Sequence, residues 1–162
     1  MSQQDQDAKY YPLSTIRATV LGLIQHQTRL LVSVGFDSMK QSNYYRVLGG
    51  GIEFGETSQA ALQREFWEEL QVELTNIRYL GCIENLFTLE GKPGHEIIQL
   101  YRCDFVDFRL YQQPYLTGYE GDNSFKAEWI DIDRFRSGEL RLVPEQFLSF
   151  CEPAENYSLK LR

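Results

Sequence analysis

The chain has 162 residues, 43% hydrophobic and 24% charged, and its 16 basic against 23 acidic side chains leave a net charge of −7. That length and apolar content suit one domain of roughly 100–200 residues with its own core, and they exclude collagen-like, fibrous and disordered classes. The acidic balance speaks against a nucleic-acid polymer as partner, because such binding relies on Lys and Arg displacing the counterions of phosphates.

Residues 1–12, ending in Tyr10, Tyr11 and Pro12, read as a tail leading into a single domain over 13–162. Positions 1–9 lack an apolar signal-peptide core, and the longest apolar stretch, 18–24, is far shorter than the roughly 20 residues of a membrane helix, so a cytoplasmic protein with no membrane partner is expected. Cys82, Cys103 and Cys151 are widely spaced, without CxxC or Cys/His ligand spacing, and read as reduced thiols.

Positions 16–34 are rich in β-branched and aliphatic residues, interrupted by the polar Gln25, His26, Gln27 and Thr28, which predicts two strands joined as a hairpin. A short apolar run over 44–48 stops at Gly49, Gly50 and Gly51, three residues with unrestricted φ that suit an irregular loop making a close approach. Thr57 or Ser58 can cap a helix that runs to Gln71 without Gly or Pro, with Leu62, Phe66 and Leu70 as its buried stripe. Positions 77–89 and 96–106 flank Gly91-Lys92-Pro93-Gly94 and predict a long β-hairpin. Positions 107–125, polar, Tyr-rich and broken by Gly, read as a loop over a functional surface. A strand over 127–132 and a helix over 144–151, with Pro at its first turn, complete an α/β or α+β class.

The helix carries the strongest chemical signal. Glu65, Glu68 and Glu69 stand at i, i+3 and i+4, which puts three carboxylates on one face within a turn, at a cost of a few tenths of a kcal/mol per pair. A solvated acidic face is the common origin of such a run. A divalent cation is the other, and oxygen-only donors suit Mg²⁺, with Mn²⁺ as the alternative ion. The flanking residues separate the two readings. Gly50, Glu56, Arg64-Glu65 and Glu68-Glu69 sit at fixed offsets that chance would produce somewhere in a chain of this length with probability on the order of 10⁻⁵.

The pattern Gly50-x5-Glu56-x7-Arg64-Glu65-Phe66-x-Glu68-Glu69-x-Gln71-Val72, entered through Leu48-Gly49-Gly50-Gly51-Ile52-Glu53-Phe54-Gly55, resembles the Nudix box of the Nudix hydrolases. The resemblance extends over most of 14–151, including the region of Trp129. Gln71 stands where the family usually has Gly and Leu48 where it often has Pro; the first bears on the turn out of the helix rather than on the chemistry, since no carboxylate is lost. The resemblance implies a Nudix fold, a mixed β-sheet sandwiched between helices. It also implies hydrolysis of a nucleoside diphosphate derivative, such as ADP-ribose, a (d)NTP or a dinucleoside polyphosphate, by metal-assisted attack of water on phosphorus. A nucleotide-binding or sensing module of the same fold, without turnover, is the alternative. Many relatives are homodimers.

Carried onto this sequence, the resemblance makes Glu65, Glu68, Glu69 and the Gly50 carbonyl the metal ligands. Glu65, Glu68 and Arg64 become catalytic candidates, Arg64 as a fork orienting the glutamates. Gly50, Gly51 and Arg46 become substrate contacts, and Glu56 and Glu53 anchor the loop ahead of the helix. Two carboxylates compete as general base. Glu96 lies in Gly94-His95-Glu96-Ile97-Ile98, an element similar to one that recurs in a broad Nudix subgroup, and it would serve as base or further ligand unless simply solvated at a strand start. Glu120, in Gly118-Tyr119-Glu120-Gly121, is the second candidate. Tyr44, Tyr45, Phe87, Tyr101, Tyr111, Tyr115 and Tyr119 are aromatic residues available to stack a base.

Overall fold

Nine strands and one long helix account for most of the structure, a computed structural model that describes residues 15–153. The tail at 1–12 and positions 154–162 of the expected domain lie outside the described residues. The elements in chain order are β1 (Arg17–Leu23), β2 (Gln25–His26), β3 (Arg29–Asp37), β4 (Ser42–Arg46), β5 (Leu48–Gly51), α1 (Ser58–Leu70), β6 (Leu74–Leu89), β7 (Lys92–Phe105), a 3₁₀ turn (Phe108–Gln112), β8 (Tyr115–Glu120), β9 (Asn123–Asp131), α2 (Ile132–Arg136) and a second 3₁₀ turn (Glu145–Phe150). The class is mixed α+β, as the sequence predicts.

The strands form two sheets. One is mixed, in the order β5-β1-β7-β6, with β1 and β7 parallel; the other is antiparallel, in the order β2-β3-β9-β8 with β4 added on β3. β1 is buried on both faces, which explains its unbroken apolar run. Its successive side chains enter two different cores. Val20 joins Leu62 and Phe66 of α1, Phe105 and Trp129, whereas Leu21 and Leu23 join Leu30, Ile98, Phe135 and Phe147 toward the C-terminal segment.

Three expectations about the strands and their connections are corrected. Positions 16–34 do not form a single hairpin: both edges of β1 are taken, by β5 and β7, so β3 pairs elsewhere and only Gln25 and His26 fold back onto Leu30 and Arg29. Gly49–Gly51 is not an irregular loop but part of β5, paired with β1 in the register Val20↔Gly50. The strand needs glycine there because a β-carbon on Gly49 would lie 2.0 Å from the Val20 carbonyl oxygen. Positions 107–125 hold a strand, since Tyr115–Glu120 pairs with Asn123–Asp131 around Gly121 at φ 60°. Alternation across β8, with Leu116 buried between exposed Tyr115 and Thr117, was outweighed in the sequence by its glycines.

The long hairpin forms as predicted, with a tighter turn: Glu90 and Gly91 both take positive φ, and Lys92 and Pro93 already belong to β7. Helix α1 is capped by Thr57, whose side chain accepts from the Ala60 amide at 3.2 Å, and it buries Leu62 and Phe66. It ends at Gln71, which adopts the left-handed conformation (φ 57°, ψ 41°) that glycine takes more cheaply. The Gln71 side chain offsets part of that strain by donating to the Trp67 carbonyl at 2.6 Å. At the C-terminal end, 144–151 is a short 3₁₀ turn rather than an α-helix, and α2, capped by Asp131, was not anticipated.

Candidate functional site

Arg64 is the hub of the box. Its guanidinium donates to both Glu56 carboxylate oxygens at 2.6 and 3.1 Å, to the Gly51 carbonyl at 2.9 Å, to Glu65 at 3.0 Å and to Glu68 at 3.2 Å. One planar fork therefore ties the loop, β5 and the helix together, which a lysine ammonium could not do. Glu56 also accepts from the Glu53 amide at 2.8 Å, and the Arg64 guanidinium holds its carboxyl below the usual range. Glu53 is the outermost member, 72% exposed and 4.0 Å from Arg64.

Gly50 is fixed by Glu65. A β-carbon at Gly50 would lie 2.2 Å from the Glu65 carboxyl carbon, so that carboxylate packs directly on the glycine backbone. Burial raises the Glu65 pKa, and Arg64 opposes the rise. Glu69 differs: among the described residues no hydrogen bond or ion pair engages its carboxylate. Burial, followed by the charges of Glu65, Glu120 and Glu68, pushes its carboxyl up to about 8. Glu120 reaches this cluster because β8 packs against α1, bringing the end of that strand beside the helix face.

Glu96 is placed with arginines rather than with the helix carboxylates. It is only 2% exposed, 3.0 Å from Arg46 and 4.0 Å from Arg17, with the Asn85 amide donating at 3.4 Å. Sequence reasoning missed Arg17 and Asn85, which no local spacing marks. They meet Glu96 through strand register, Arg17 from β1 on one side and Asn85 from β6 on the other. Both groups line one cleft of about 970 Å³, which contains Arg17, Arg46 and Glu96 together with Gly49–Gly51, Glu65, Glu69 and Glu120.

Of the aromatic candidates, three are structural. Tyr101 is buried with its hydroxyl 2.7 Å from that of Ser58, Tyr111 is buried against Trp129 and Phe105, and Tyr45 packs on Phe135. Tyr115 and Tyr119 are exposed, and Tyr44 and Phe87 line a separate cleft.

Among the described residues no three acidic, His or Cys side chains already converge on one ion position, and Glu65 and Glu68 are turned to Arg64. The fit to a divalent cation lies in the donors and their charge. Every candidate donor is a carboxylate or carbonyl oxygen, and the unpartnered, half-buried Glu69 faces three like charges with no cation beside it. No helix among the described residues is long and apolar enough to cross a membrane.

Comparison with known proteins agrees with this arrangement. The chain is similar to NAD-capped RNA hydrolase NudC of Pectobacterium atrosepticum, 32% identical over 106 residues that make up 65% of this chain and 37% of the relative. It is also similar to the protein of that name from Edwardsiella ictaluri, 25% identical over 78% of this chain and 42% of the relative, so it spans about two fifths of these relatives. Among solved structures, the E. coli ORF135 protein shares the fold with a TM-score of 0.57 at 19% identity, covering 83% of this chain and 87% of that one. A MutT NUDIX hydrolase from Burkholderia pseudomallei does so with a TM-score of 0.56 at 20% identity, covering 74% and 86%. A family model, the NUDIX domain, matches residues 14–149, and with the box carboxylates, their arginine fork and the fold all in place, the chain belongs to the NUDIX family.

Proposed function

We propose that the protein hydrolyses the pyrophosphate linkage of a nucleoside diphosphate derivative, with Mg²⁺ as its metal. The observation that carries this reading is Glu69, a half-buried carboxylate without a partner among the described residues, set among Glu65, Glu68 and Glu120 at a cleft that also contains two arginines. The arrangement is costly without a cation and ready-made with one. Glu65, Glu68, Glu69 and the Gly50 carbonyl would hold the ion, which when bound would neutralise the carboxylates, polarise phosphate oxygens and lower the pKa of a coordinated water.

The remaining steps belong to the chain's own residues. Arg64 keeps Glu65 and Glu68 oriented, and Glu56 keeps Arg64 in place. Arg46 and Arg17 bind phosphate oxygens of the substrate, and Glu96 holds the two guanidiniums in the cleft rather than taking a proton, because its oxygens are already engaged. Glu120, beside Glu69 and Glu65, is the base that accepts the proton of the attacking water. The net charge of −7 favours a small nucleotide over a nucleic-acid polymer, and the family resemblance favours a homodimer.

The reading is tested by incubating the purified protein with Mg²⁺ and a panel of ADP-ribose, nucleoside triphosphates and dinucleotides. Release of phosphate or nucleoside monophosphate is expected, with Glu68→Gln and Glu69→Gln each removing most of the rate. No release from any compound overturns it.

A further inference from the structure

Two hairpins from different sheets face each other across a second cleft of about 810 Å³. The β3–β4 hairpin of the antiparallel sheet contributes Tyr44 and Arg46 to its walls, and the β6–β7 hairpin of the mixed sheet contributes Asn85, Phe87 and Thr88. Among the described residues, polar contacts between these hairpins gather at two places, one at each end of the cleft. At the inner end Arg46 meets Glu96 at 3.0 Å, and the Asn85 amide donates to the same carboxylate at 3.4 Å. At the outer end the two turns are clasped. The Glu90 carboxylate accepts from the Ser38 amide at 2.6 Å and from the Ser38 hydroxyl, and the Lys40 ammonium donates to the Thr88 carbonyl while standing 3.4 Å from the Asp37 carboxylate.

The turn itself does not call for Glu90. Glu90 and Gly91 take φ of 51° and 71°, and Asn, Asp or Gly fill the first position of such a two-residue turn at lower cost than Glu. Glu90 is exposed, so burial does not account for it either; what its side chain does is hold Ser38. On the other side, the buried Asp37 accepts from the Met39 and Lys40 amides at 3.0 and 3.1 Å and so shapes the turn that presents Ser38 and Lys40. Each arm is stiffened by a ring laid over a cross-strand glycine, Tyr44 on Gly35 and Phe87 on Gly94. Stiff arms carry a displacement at their tips to their bases. Arg46 stands at such a base, about 17 Å along β4 from its turn at the rise of an antiparallel strand.

We propose that this clasp positions Arg46. By closing the far ends of the two hairpins, Glu90, Ser38 and Lys40 set the opening between the arms, and with it the distance from the Arg46 guanidinium to the carboxylates of α1. A phosphate chain that touches both needs that distance held to within about 1 Å. The inference rests on the reading of Arg46 as a phosphate contact and adds a residue remote from the chemistry. Glu90 acts through Arg46 and is a positioning residue.

The test measures calorimetric binding of inorganic pyrophosphate in Mg²⁺, alongside KM and kcat for whichever compound of the panel is hydrolysed. Glu90→Gly removes the carboxylate and leaves a residue that takes the φ of the turn without strain, so thermal melting should show an unchanged fold. Pyrophosphate Kd and KM are expected to rise about tenfold, as when one charge-assisted hydrogen bond weakens, with kcat held within about twofold because ground-state and transition-state binding suffer alike. Binding of Mg²⁺ alone should not change. In an Arg46→Gln background Glu90→Gly should have no further effect, since the residue through which it acts is gone. The calorimetric measurement needs no turnover, so the hydrolase reading can fail while the clasp stands. A Glu90→Gly protein that binds pyrophosphate like the wild type, that loses affinity equally with and without Arg46, or that also loses affinity for Mg²⁺ alone overturns the proposal. Arg46→Gln with wild-type affinity for pyrophosphate overturns the phosphate-contact reading and the clasp with it.

Discussion

Gly50→Ala separates the geometry of the box from its composition, because it leaves every carboxylate in place. The added methyl would lie 2.2 Å from the Glu65 carboxyl carbon and 2.4 Å from each of its oxygens. Carbon atoms in contact settle near 3.5–4.0 Å, so the carboxylate has to retreat by about 1.3 Å. The backbone does not object: Gly50 is not among the glycines with left-handed φ, and it sits in the ladder between β5 and β1. Retreat weakens the Glu65–Arg64 contact at a cost of about 1 kcal/mol, roughly offset by the lower chain entropy of alanine in the unfolded state. The melting temperature should therefore shift by no more than a few degrees.

A displacement of about 1 Å in a catalytic group typically costs about a hundredfold in rate, and that loss in kcat/KM is expected here. Gly51→Ala is the paired measurement: its β-carbon meets nothing within 4 Å and the carbonyl that Arg64 uses is retained, so most activity should survive. Gly50→Ala enzyme that keeps more than half of wild-type kcat/KM, or that loses activity only in proportion to unfolding, would refute the argument that Glu65 must rest on Gly50.

Arg64→Lys keeps the charge but cannot span Glu56, Gly51, Glu65 and Glu68; kcat/KM should fall by about a hundredfold and stability by about 1–3 kcal/mol, read by steady-state kinetics and denaturant melts. In metal-free protein, Glu69 binds its proton more tightly folded than unfolded, since its pKa rises from 4.5 to about 8. Its contribution is therefore full below about pH 4.5 and lost as pH climbs through about 8, so melting in EDTA should decline over that interval, and Glu69→Gln should flatten the decline. An equally steep decline in the variant defeats this. Mg²⁺ should raise the melting temperature more at pH 8 than at pH 5.5, where protons compete for the carboxylates. Glu120→Gln should cut kcat sharply with no loss of stability. Glu96→Ala should instead destabilise by about 2 kcal/mol and raise KM, because it removes the carboxylate that holds Arg46 at 3.0 Å and lies 4.0 Å from Arg17; a fall in kcat alone on Glu96→Gln would return the role of base to Glu96.

Elements whose cause is local were legible in the sequence. The helix over 58–70 carries its own cap, stripe and composition, and the β6–β7 hairpin carries its turn. The misassigned elements depended on competition for partners. Aliphatic runs on either side of 25–28 look like two strands of one hairpin, and nothing in them says that β5 and β7 claim both edges of β1. Glycines misled for a related reason. Read singly, Gly49, Gly50 and Gly118 signal a loop; in the sheet they are places where a carbonyl, a carboxylate or a ring from another element comes too close for a side chain.

The same distinction runs through the site. Glu65, Glu68, Glu69, Arg64 and Glu56 lie close together in sequence, and helical geometry fixes most of their relations, so the acidic half of the cleft could be read from spacing. Its cationic half could not. Glu96 looked like a lone carboxylate at a strand start because Arg17 comes from β1, 79 positions earlier, and Arg46 from β4, and the parallel register Arg17↔Glu96 is a product of the completed sheet. A buried carboxylate between two arginines is expensive to desolvate and little cheaper than an apolar packing of the same volume, so stability alone gives weak reason to keep it. In the wall of the cleft that also holds Glu65, Glu69 and Glu120, it makes sense, on the proposed function, as a device for presenting guanidiniums to an anion. On the proposed function, the helix concentrates negative charge to hold a cation, and the sheet buries one negative charge to aim two positive ones; a phosphate chain is the ligand that would answer to both.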